Sequence, residues 1–240
     1  MKSVCTPCAE RSAGFTLVEL LLVIALIGVL ASFLVPTLTR ARSLASLTGL
    51  TSRLGSHAKV LIAYTQDHRD FMPAFTDPKA TYSLVYMDET PIKLGYFDTY
   101  WSWHIALAER TFHTTHHDPA FYETRPEFSP VTSIWYSSSF AADPAFWRDT
   151  TRTGPNQWRA TKLSEVQFPS QKAVLFANEA WRQSRGKIAP LGFMDASAEG
   201  VTEASLKAGY PSGTGDWPGS GLAGPVPGMG TIDGVHGRDR

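Results

Sequence analysis

Hydrophobic residues are concentrated near the start of the chain. Residues 15–38 read FTLVELLLVIALIGVLASFLVPTL, and Glu19 is the only charged residue among these 24. A helix of this length spans roughly 36 Å, which exceeds the roughly 30 Å hydrocarbon core of a bilayer. Apolar side chains would occupy every side of that helix. The pattern therefore predicts a transmembrane helix over residues 15–38 and not an amphipathic surface helix.

The helical pattern continues beyond Pro36 and becomes amphipathic. Five apolar residues recur on one helical face, namely Leu47, Leu50, Leu54, Ala58 and Leu61. We therefore predict one long spine helix from about residue 15 to about residue 64, with residues 39–66 as its amphipathic continuation. Gly28 and Pro36 are the candidate positions for a helix kink, because proline removes an intrahelical hydrogen bond and glycine weakens the helix.

The rest of the chain alternates short elements with turn-rich segments. Asp98 or Thr99 is a candidate cap for a helix that ends at Arg110, and Thr202 for a short helix that ends at Gly209. Strands are predicted at residues 131–141, 172–178 and 188–195 and near Val201, the last two as a hairpin. The predicted fold class is α+β, a spine helix packed on a small antiparallel sheet with long loops. Residues 67–208 form the predicted globular domain, and residues 209–240 a Gly/Pro-rich tail.

Net charge argues against a nucleic-acid partner. The 22 Lys and Arg residues balance the 22 Asp and Glu residues, so no surplus of positive charge is present to neutralise phosphates. The 43% hydrophobic content excludes global disorder. These averages combine two unlike parts, a membrane segment and a more polar outer domain.

Candidate metal ligands are weakly organised. Cys5 and Cys8 form a single C-x-x-C pair, whereas a structural zinc site needs about four ligands. His113, His116 and His117, with His104 upstream, form an H-x-x-H-H cluster in which the first and last histidines would share a helical face. No glutamate lies between them and Pro119 follows closely, so we favour a solvated loop over a zinc site.

The sequence contains possible oxygen ligands for calcium but no recognisable catalytic motif. Asp195, Asp233 and the loop segment 213–216 could supply oxygen ligands for Ca²⁺, which takes six to eight of them. No G-x-S-x-G pattern or Gly-rich phosphate loop is present in the sequence. We therefore predict a protein that is not an enzyme and needs no metal or cofactor. A metal-dependent enzyme built around His113 and His117 is the weakest alternative.

Three ordinary interpretations of the apolar segment stay open. It can be a cleaved secretory signal peptide with Lys2 and Arg11 as its basic region. It can be a buried core helix, or a plain membrane anchor. In a plain anchor Glu19 would serve no purpose, although a carboxylate deep in the bilayer costs on the order of 2–3 kcal/mol.

The string Gly14-Phe15-Thr16-Leu17-Val18-Glu19-Leu20 favours a fourth interpretation. It resembles the processing signature of type IV pilins and type II secretion pseudopilins, in which a short basic leader and a glycine precede an aromatic residue, a glutamate and an apolar helix. Pro36 lies where these families often have a helix-kinking proline. The resemblance is strong over residues 11–66.

This resemblance implies a processing and assembly route. Prepilin peptidase would cleave between Gly14 and Phe15, residues 1–14 would leave as a leader peptide, and the new amino group of Phe15 would be N-methylated. Glu19 would pair with the amino terminus of a neighbouring subunit, since an ion pair costs much less inside lipid than two unpaired charges. The implied partners are prepilin peptidase, other pilin or pseudopilin subunits in a homo- or heteropolymer, and the inner membrane.

The implied location is the bacterial inner membrane, with a single span and the C-terminal domain in the periplasm or on an extracellular filament. This orientation comes from the resemblance alone. Four basic residues follow the span before any acidic residue, namely Arg40, Arg42, Arg53 and Lys59. Because these outnumber the two basic residues of the leader, Lys2 and Arg11, the positive-inside rule does not clearly place the leader in the cytoplasm.

Three further segments are similar to stretches of pilin-like families. Residues 59–73, KVLIAYTQDHRDFMP, follow the same leader in those families. Residues 193–197 resemble an Asp-Gly-His or Asp-Gly-Ser turn, but Ala196 replaces the glycine and puts a positive-φ turn in doubt. Residues 231–239 resemble a closing segment.

Fifteen aromatic residues lie between Tyr96 and Trp158. We interpret them as core and subunit interface, although an aromatic surface can also bind sugars or partners. The leading functional hypothesis is a structural subunit of a pilus or pseudopilus. The alternative is a membrane-anchored periplasmic or envelope binding module that uses the prepilin route without polymerising.

Overall fold

The computed structural model describes most of the chain, namely residues 16–75, 82–85, 91–108, 113, 119–121, 132–177, 188–210 and 229–240. The chain divides into two compact units, residues 1–46 and residues 47–240. We call them the N-terminal and C-terminal units. This division falls several residues beyond the predicted end of the membrane segment, and the finer domain limits stay predictions.

Helix α1, Leu17–Asp67, confirms the predicted spine helix. Its amphipathic face is also confirmed, because Leu54, Ala58 and Leu61 are fully buried and the two earlier leucines of that face are half-buried. The helix is assigned as continuous through Gly28 and Pro36, where a kink stays a prediction. It ends in a turn in which Asp70 has a φ of 71° and donates its amide to the carbonyl of Thr65.

A four-stranded antiparallel sheet confirms the α+β class. Its strands in spatial order are β3 (Ile134–Tyr136), β4 (Ala173–Ala177), β5 (Ile188–Phe193) and β6 (Ala198–Thr202). The predicted hairpin is the β5–β6 pair. A separate two-stranded sheet pairs β1 (Tyr82–Val85) with β2 (Pro91–Leu94), which the sequence did not predict.

The predicted strand over residues 131–141 is too long. Strand β3 ends at Tyr136 because a 3₁₀ helix, Ser138–Phe140, follows it. Serine side chains of this segment bond to the end of the chain: Ser137 Oγ donates to the Met229 carbonyl at 3.1 Å, and Ser139 Oγ donates to Thr231 Oγ1 at 3.1 Å. These distant partners were not visible in the local sequence.

Helix α2 is Thr99–Ala108, and the predicted end at Arg110 lies outside the described residues. Of the three side chains that the helical pattern predicts to point inward, Trp101 and Ala108 are buried and Ile105 is half-buried. The predicted capping by Asp98 is wrong, because its carboxylate accepts the Gly95 amide of a preceding 3₁₀ turn at 2.6 Å and the Trp101 indole N–H at 3.0 Å. The helix predicted after Thr202 is a single 3₁₀ turn, Glu203–Ser205.

The close contact between α1 and the sheet leaves little room for a side chain at Gly192. A Cβ atom on Gly192 of β5 would lie 3.2 Å from the Leu54 carbonyl oxygen, and one on Gly55 would lie 3.4 Å from Ala198 Cβ. Residues of α1, α2, β3 and β4 fill the space around this contact and form one hydrophobic core. A second core is mostly aromatic and includes Phe97, Phe146 and Trp147. The described aromatic residues of the region from Tyr96 to Trp158 are therefore mostly core, as we predicted, and their role in a subunit interface stays a prediction.

Candidate functional site on the N-terminal helix

The first turn of α1 contains a capping box. Thr16 precedes the helix, and its Oγ1 accepts the amide of Glu19 at 3.2 Å. In return, Glu19 Oε2 accepts the Thr16 amide at 2.9 Å and the Thr16 hydroxyl at 2.7 Å. This T-x-x-E arrangement satisfies amides that an N-terminus otherwise leaves unbonded, and it places a carboxylate at the positive end of the helix dipole. This capping role of Glu19 was not predicted from the sequence.

Only one oxygen of the carboxylate is used in the box. Both bonds from Thr16 go to Oε2, and no described residue donates a hydrogen bond to Oε1. Because Thr16 lies after the predicted cleavage point, the box needs no residue of the leader. Gly14 and Phe15, the predicted cleavage and methylation positions, lie outside the described residues.

The helix beyond the box presents an apolar surface. Every large apolar side chain from Leu17 to Leu38 exposes 40% or more of its surface, and Leu17 and Phe33 expose 77% and 70%. This exposure excludes the interpretation of the segment as a core helix. Within the described residues, one helix is long and apolar enough to cross a membrane, a property that signal sequences share.

Polar groups in this segment are satisfied within the helix. Ser32 Oγ donates to the Val29 carbonyl at 2.6 Å, Thr37 Oγ1 to the Leu34 carbonyl at 2.8 Å and Thr39 Oγ1 to the Val35 carbonyl at 2.9 Å. Such internal bonding is what a helix in hydrocarbon requires, since no water is present to bond free hydroxyls. Glu19 is the exception, because its Oε1 has no such bond.

The candidate metal ligands do not form a cluster in the part of the chain that the structure describes. His113 is exposed and His104 is fully buried, whereas His116 and His117 lie outside the described residues. Among the described residues no group of three potential ligands is close enough to hold a metal ion. Asp195 Oδ1 accepts the amide and the hydroxyl of Ser197.

The second calcium candidate, Asp233, is part of an ion pair. Its carboxylate pairs with the guanidinium of Arg148, with Oδ2 accepting from Nη2 at 2.8 Å. Residues 213–216, the third part of that candidate site, lie outside the described residues.

The C-terminal unit contains a buried ion pair that was not predicted from the sequence. Lys172, just before β4, is fully buried and pairs with Asp239. Burial lowers the pKa of Lys172, and the charge of Asp239 opposes that shift. The C-terminal segment thus contributes to the core, although the composition of residues 209–240 predicted only a loop-like tail. A lysine immediately before a hydrophobic strand gave no local signal of this contact.

Comparison with known proteins agrees with the geometry of α1. The family model for the prokaryotic N-terminal methylation motif matches residues 11–35, a stretch that includes the capping box and most of the apolar segment. The chain carries a prepilin-type N-terminal motif. The resemblance stated from the sequence is therefore confirmed for this motif, and an N-terminal apolar helix with such a motif agrees with membrane anchoring.

One curated relative extends the similarity beyond the prepilin-type motif. The chain is 40% identical over 62 residues to the type IV wide pilus major component PilA4 of Thermus thermophilus. The match covers 26% of this chain and 47% of that protein, so it spans about half the length of the relative. No solved structure matches this chain. The chain is pilin-like in its N-terminal region. What is known of the C-terminal unit comes from the structure described above.

Proposed function

We propose that this chain is a structural subunit of a type IV pilus or a type II secretion pseudopilus. In this proposal prepilin peptidase cleaves between Gly14 and Phe15, and Phe15 becomes the N-methylated first residue. The processed chain then lies in the bacterial inner membrane through one span. Its C-terminal unit faces the periplasm until α1 joins other pilin-like subunits in a filament.

The observation that carries this proposal is the half-used carboxylate of Glu19. Oε2 closes the capping box, and Oε1 remains available for a donor from outside the described chain. In hydrocarbon an unpaired carboxylate is costly, so a cationic partner at Oε1 would stabilise any state in which it is present. The amino group of Phe15 in a neighbouring subunit supplies such a cation.

The capping box makes a simple alanine substitution ambiguous, because Glu19→Ala removes both the cap and the charge. Two variants separate these roles. Glu19→Gln keeps an oxygen that can accept the Thr16 amide, as glutamine does in other capping boxes, but removes the charge. Thr16→Val removes the hydroxyl and keeps the charge.

Both variants would be expressed in the native host, and their amounts in the membrane fraction and in sheared filaments compared with wild type. We expect Glu19→Gln to insert normally and to lose filament incorporation by about tenfold or more, as for a charge left without its partner in a buried ion pair. We expect Thr16→Val to retain incorporation. Wild-type incorporation of Glu19→Gln would contradict the pairing role.

Processing is tested independently by mass spectrometry of the mature protein. We expect an N-terminal peptide that begins with methylated Phe15. A mature chain that begins at Met1 would contradict cleavage at Gly14, whatever the Glu19 variants do.

A second candidate function is a membrane-anchored envelope binding module that never polymerises. The observation that favours it is a cleft in the C-terminal unit lined by Phe71, Trp158 and Lys162. Cross-linking in intact cells distinguishes the two functions. A ladder of like subunits supports the filament, whereas a product with one foreign partner supports the module.

A further inference from the structure

A cleft of about 860 Å³ lies in the C-terminal unit, between the end of α1 and residues 158–165. Its volume is within the range of ligand-binding pockets, roughly 300–1,000 Å³. The proposed assembly through α1 makes no use of this cleft. The residues that line the cleft therefore indicate its function.

The walls are fixed by backbone hydrogen bonds. The Met72 amide donates to the Thr161 carbonyl at 2.9 Å, and the Leu163 amide donates to the Asp70 carbonyl at 2.9 Å. An isolated bridge joins Phe71 to Lys162 between these bonds. The segment that follows α1 is thus tied to the opposite wall, which makes the cleft a preformed feature of the fold.

Aromatic side chains supply flat surfaces in the cleft. Trp158 is half-buried and stacks on Tyr96, with ring centres 5.6 Å apart and planes 5° apart. Phe71 exposes 39% of its surface. The cleft therefore presents aromatic ring surface from both of its walls.

The charges in the cleft nearly balance. Arg159 binds Glu165 through two hydrogen bonds of 2.9 and 2.7 Å, so this pair is satisfied within the protein. Burial favours the neutral acid, but the hydrogen bonds and charge of Arg159, together with the Lys162 amide, outweigh burial and lower the pKa of Glu165.

Asp67, Arg69 and Lys162 remain as charged groups at the cleft. Among the described residues none of them forms an ion pair, and the ammonium of Lys162 lies 5.1 Å from the centre of the Phe71 ring. The cleft thus offers one free acceptor and two free donors beside its aromatic rings, without a strong excess of either sign.

This combination matches one ligand class. A sugar ring has C–H faces that pack on aromatic rings and hydroxyl groups at its edge that both donate and accept hydrogen bonds. A purely apolar ligand would leave Asp67 and Arg69 unused, and a polyanion would face Asp67. We propose that the cleft binds an uncharged oligosaccharide. This proposal is independent of filament assembly, and it names the ligand class for the envelope binding module that the same cleft favours.

The test uses the full-length chain in lauryldimethylamine oxide micelles, because this detergent has no sugar headgroup. Cellohexaose, maltohexaose and N-acetylchitohexaose are titrated by calorimetry and by tryptophan fluorescence. We expect saturable 1:1 binding of at least one of them with a Kd below about 1 mM. The proposal is overturned if none of the three binds with a Kd below about 10 mM, or if hexagalacturonate binds more tightly than all of them.

Point variants then place the binding in the cleft. Arg69→Ala and Asp67→Ala each remove one polar partner of the ligand, and Trp158→Phe reduces the aromatic surface. Each change is expected to weaken binding about two- to tenfold. The matched control is Lys207→Ala, an exposed lysine outside the cleft, which is expected to bind as wild type. Unchanged binding by the exposed-site variants Arg69→Ala and Asp67→Ala would overturn the location even if Trp158→Phe fails to fold.

Discussion

The ammonium group of Lys172 lies 3.2 Å from Oδ2 of Asp239, and both side chains are almost fully buried. Further bonds surround the pair: Asp239 Oδ1 accepts the Thr231 hydroxyl at 2.5 Å, and Oδ2 accepts the Ala173 amide at 2.9 Å. The Asp239 amide donates to the Gln171 carbonyl at 2.9 Å. The end of the chain is therefore held beside the first residue of β4 by a buried, hydrogen-bonded ion pair.

Breaking this pair is expected to be costly. In Lys172→Met the Asp239 carboxylate would stay buried without its cation, and we expect the free energy of unfolding to fall by about 3–5 kcal/mol. Urea unfolding followed by tryptophan fluorescence measures this, because all seven tryptophans follow residue 100 in the sequence and so report on the C-terminal unit.

The matched control is the exposed pair between Arg240 and Glu199. Arg240→Ala is expected to cost less than about 1 kcal/mol, as exposed ion pairs generally do. A loss below about 1 kcal/mol for Lys172→Met as well would contradict the structural role of the buried pair.

Gly192→Ala tests the contact between α1 and the sheet. The added methyl group would lie 3.2 Å from the Leu54 carbonyl oxygen, so the helix and β5 have to move apart. We expect a loss of about 1–3 kcal/mol in the same unfolding measurement. Gly49→Ala is the control, because a Cβ there has no neighbour within 4 Å and alanine favours a helix by about 1 kcal/mol. Equal stability of the two variants would argue against the close helix–sheet contact.

Ala196→Gly is expected to stabilise the protein. Ala196 has a φ of 66°, which is the left-handed region that its Cβ disfavours by about 1–2 kcal/mol. Glycine relieves this strain but adds backbone entropy to the unfolded chain, worth about 0.5–1 kcal/mol, so the net gain is about 0.5–1 kcal/mol. Ala198→Gly in β6 is the control and is expected to destabilise. A loss of stability in Ala196→Gly would show that the turn is not strained.

Alkaline pH is expected to destabilise the fold through Tyr100. Burial, with a smaller contribution from the charge of Asp98, raises the pKa of Tyr100 to about 12. The unfolded side chain has a pKa of about 10, so the folded state holds more protons between these values and stability falls as pH rises through them. The free energy of unfolding is measured at about pH 9 and pH 11.5. We expect the loss between these pH values to be about 1–2 kcal/mol smaller in Tyr100→Phe than in wild type.

Buried Tyr136, whose pKa burial also raises, keeps part of this pH dependence in the Tyr100→Phe variant. Asp98→Asn provides a second check, because it removes the smaller, electrostatic part of the shift and should lower the Tyr100 pKa slightly in an absorbance titration at alkaline pH. An unchanged pH dependence in Tyr100→Phe would show that this tyrosine does not titrate differently in the folded and unfolded states.

Turn chemistry shows where sequence reasoning reached its limit. Because Ala196 occupies a position where glycine was expected, the sequence put a positive-φ turn in doubt, yet the turn forms. The Phe193 amide donates to the Ser197 carbonyl at 2.8 Å, and Asp195 bonds Ser197, which together offset the strain. Pairing between β5 and β6 and the contact with α1 supply the rest, and neither is visible in five residues of sequence.

The sequence by itself determined the long helix, its apolar first half and its buried face at Leu54, Ala58 and Leu61, because helical periodicity and composition are local properties. It also indicated the prepilin-type motif, since that motif is a contiguous string. The capping role of Glu19 could also be predicted from the T-x-x-E spacing. The apolar segment around Glu19 pointed only to a role for its charge.

Only the tertiary structure decided which distant segments meet. Lys172 and Asp239 are 67 residues apart, and the cleft joins residues 64–75 to residues 158–165. No periodicity links such positions, because their contact follows from how α1 docks on the sheet and how the final segment closes over β4. Local sequence pattern therefore predicts the spine helix. The buried ion pair and the cleft depend on packing between segments that come together only when the chain folds.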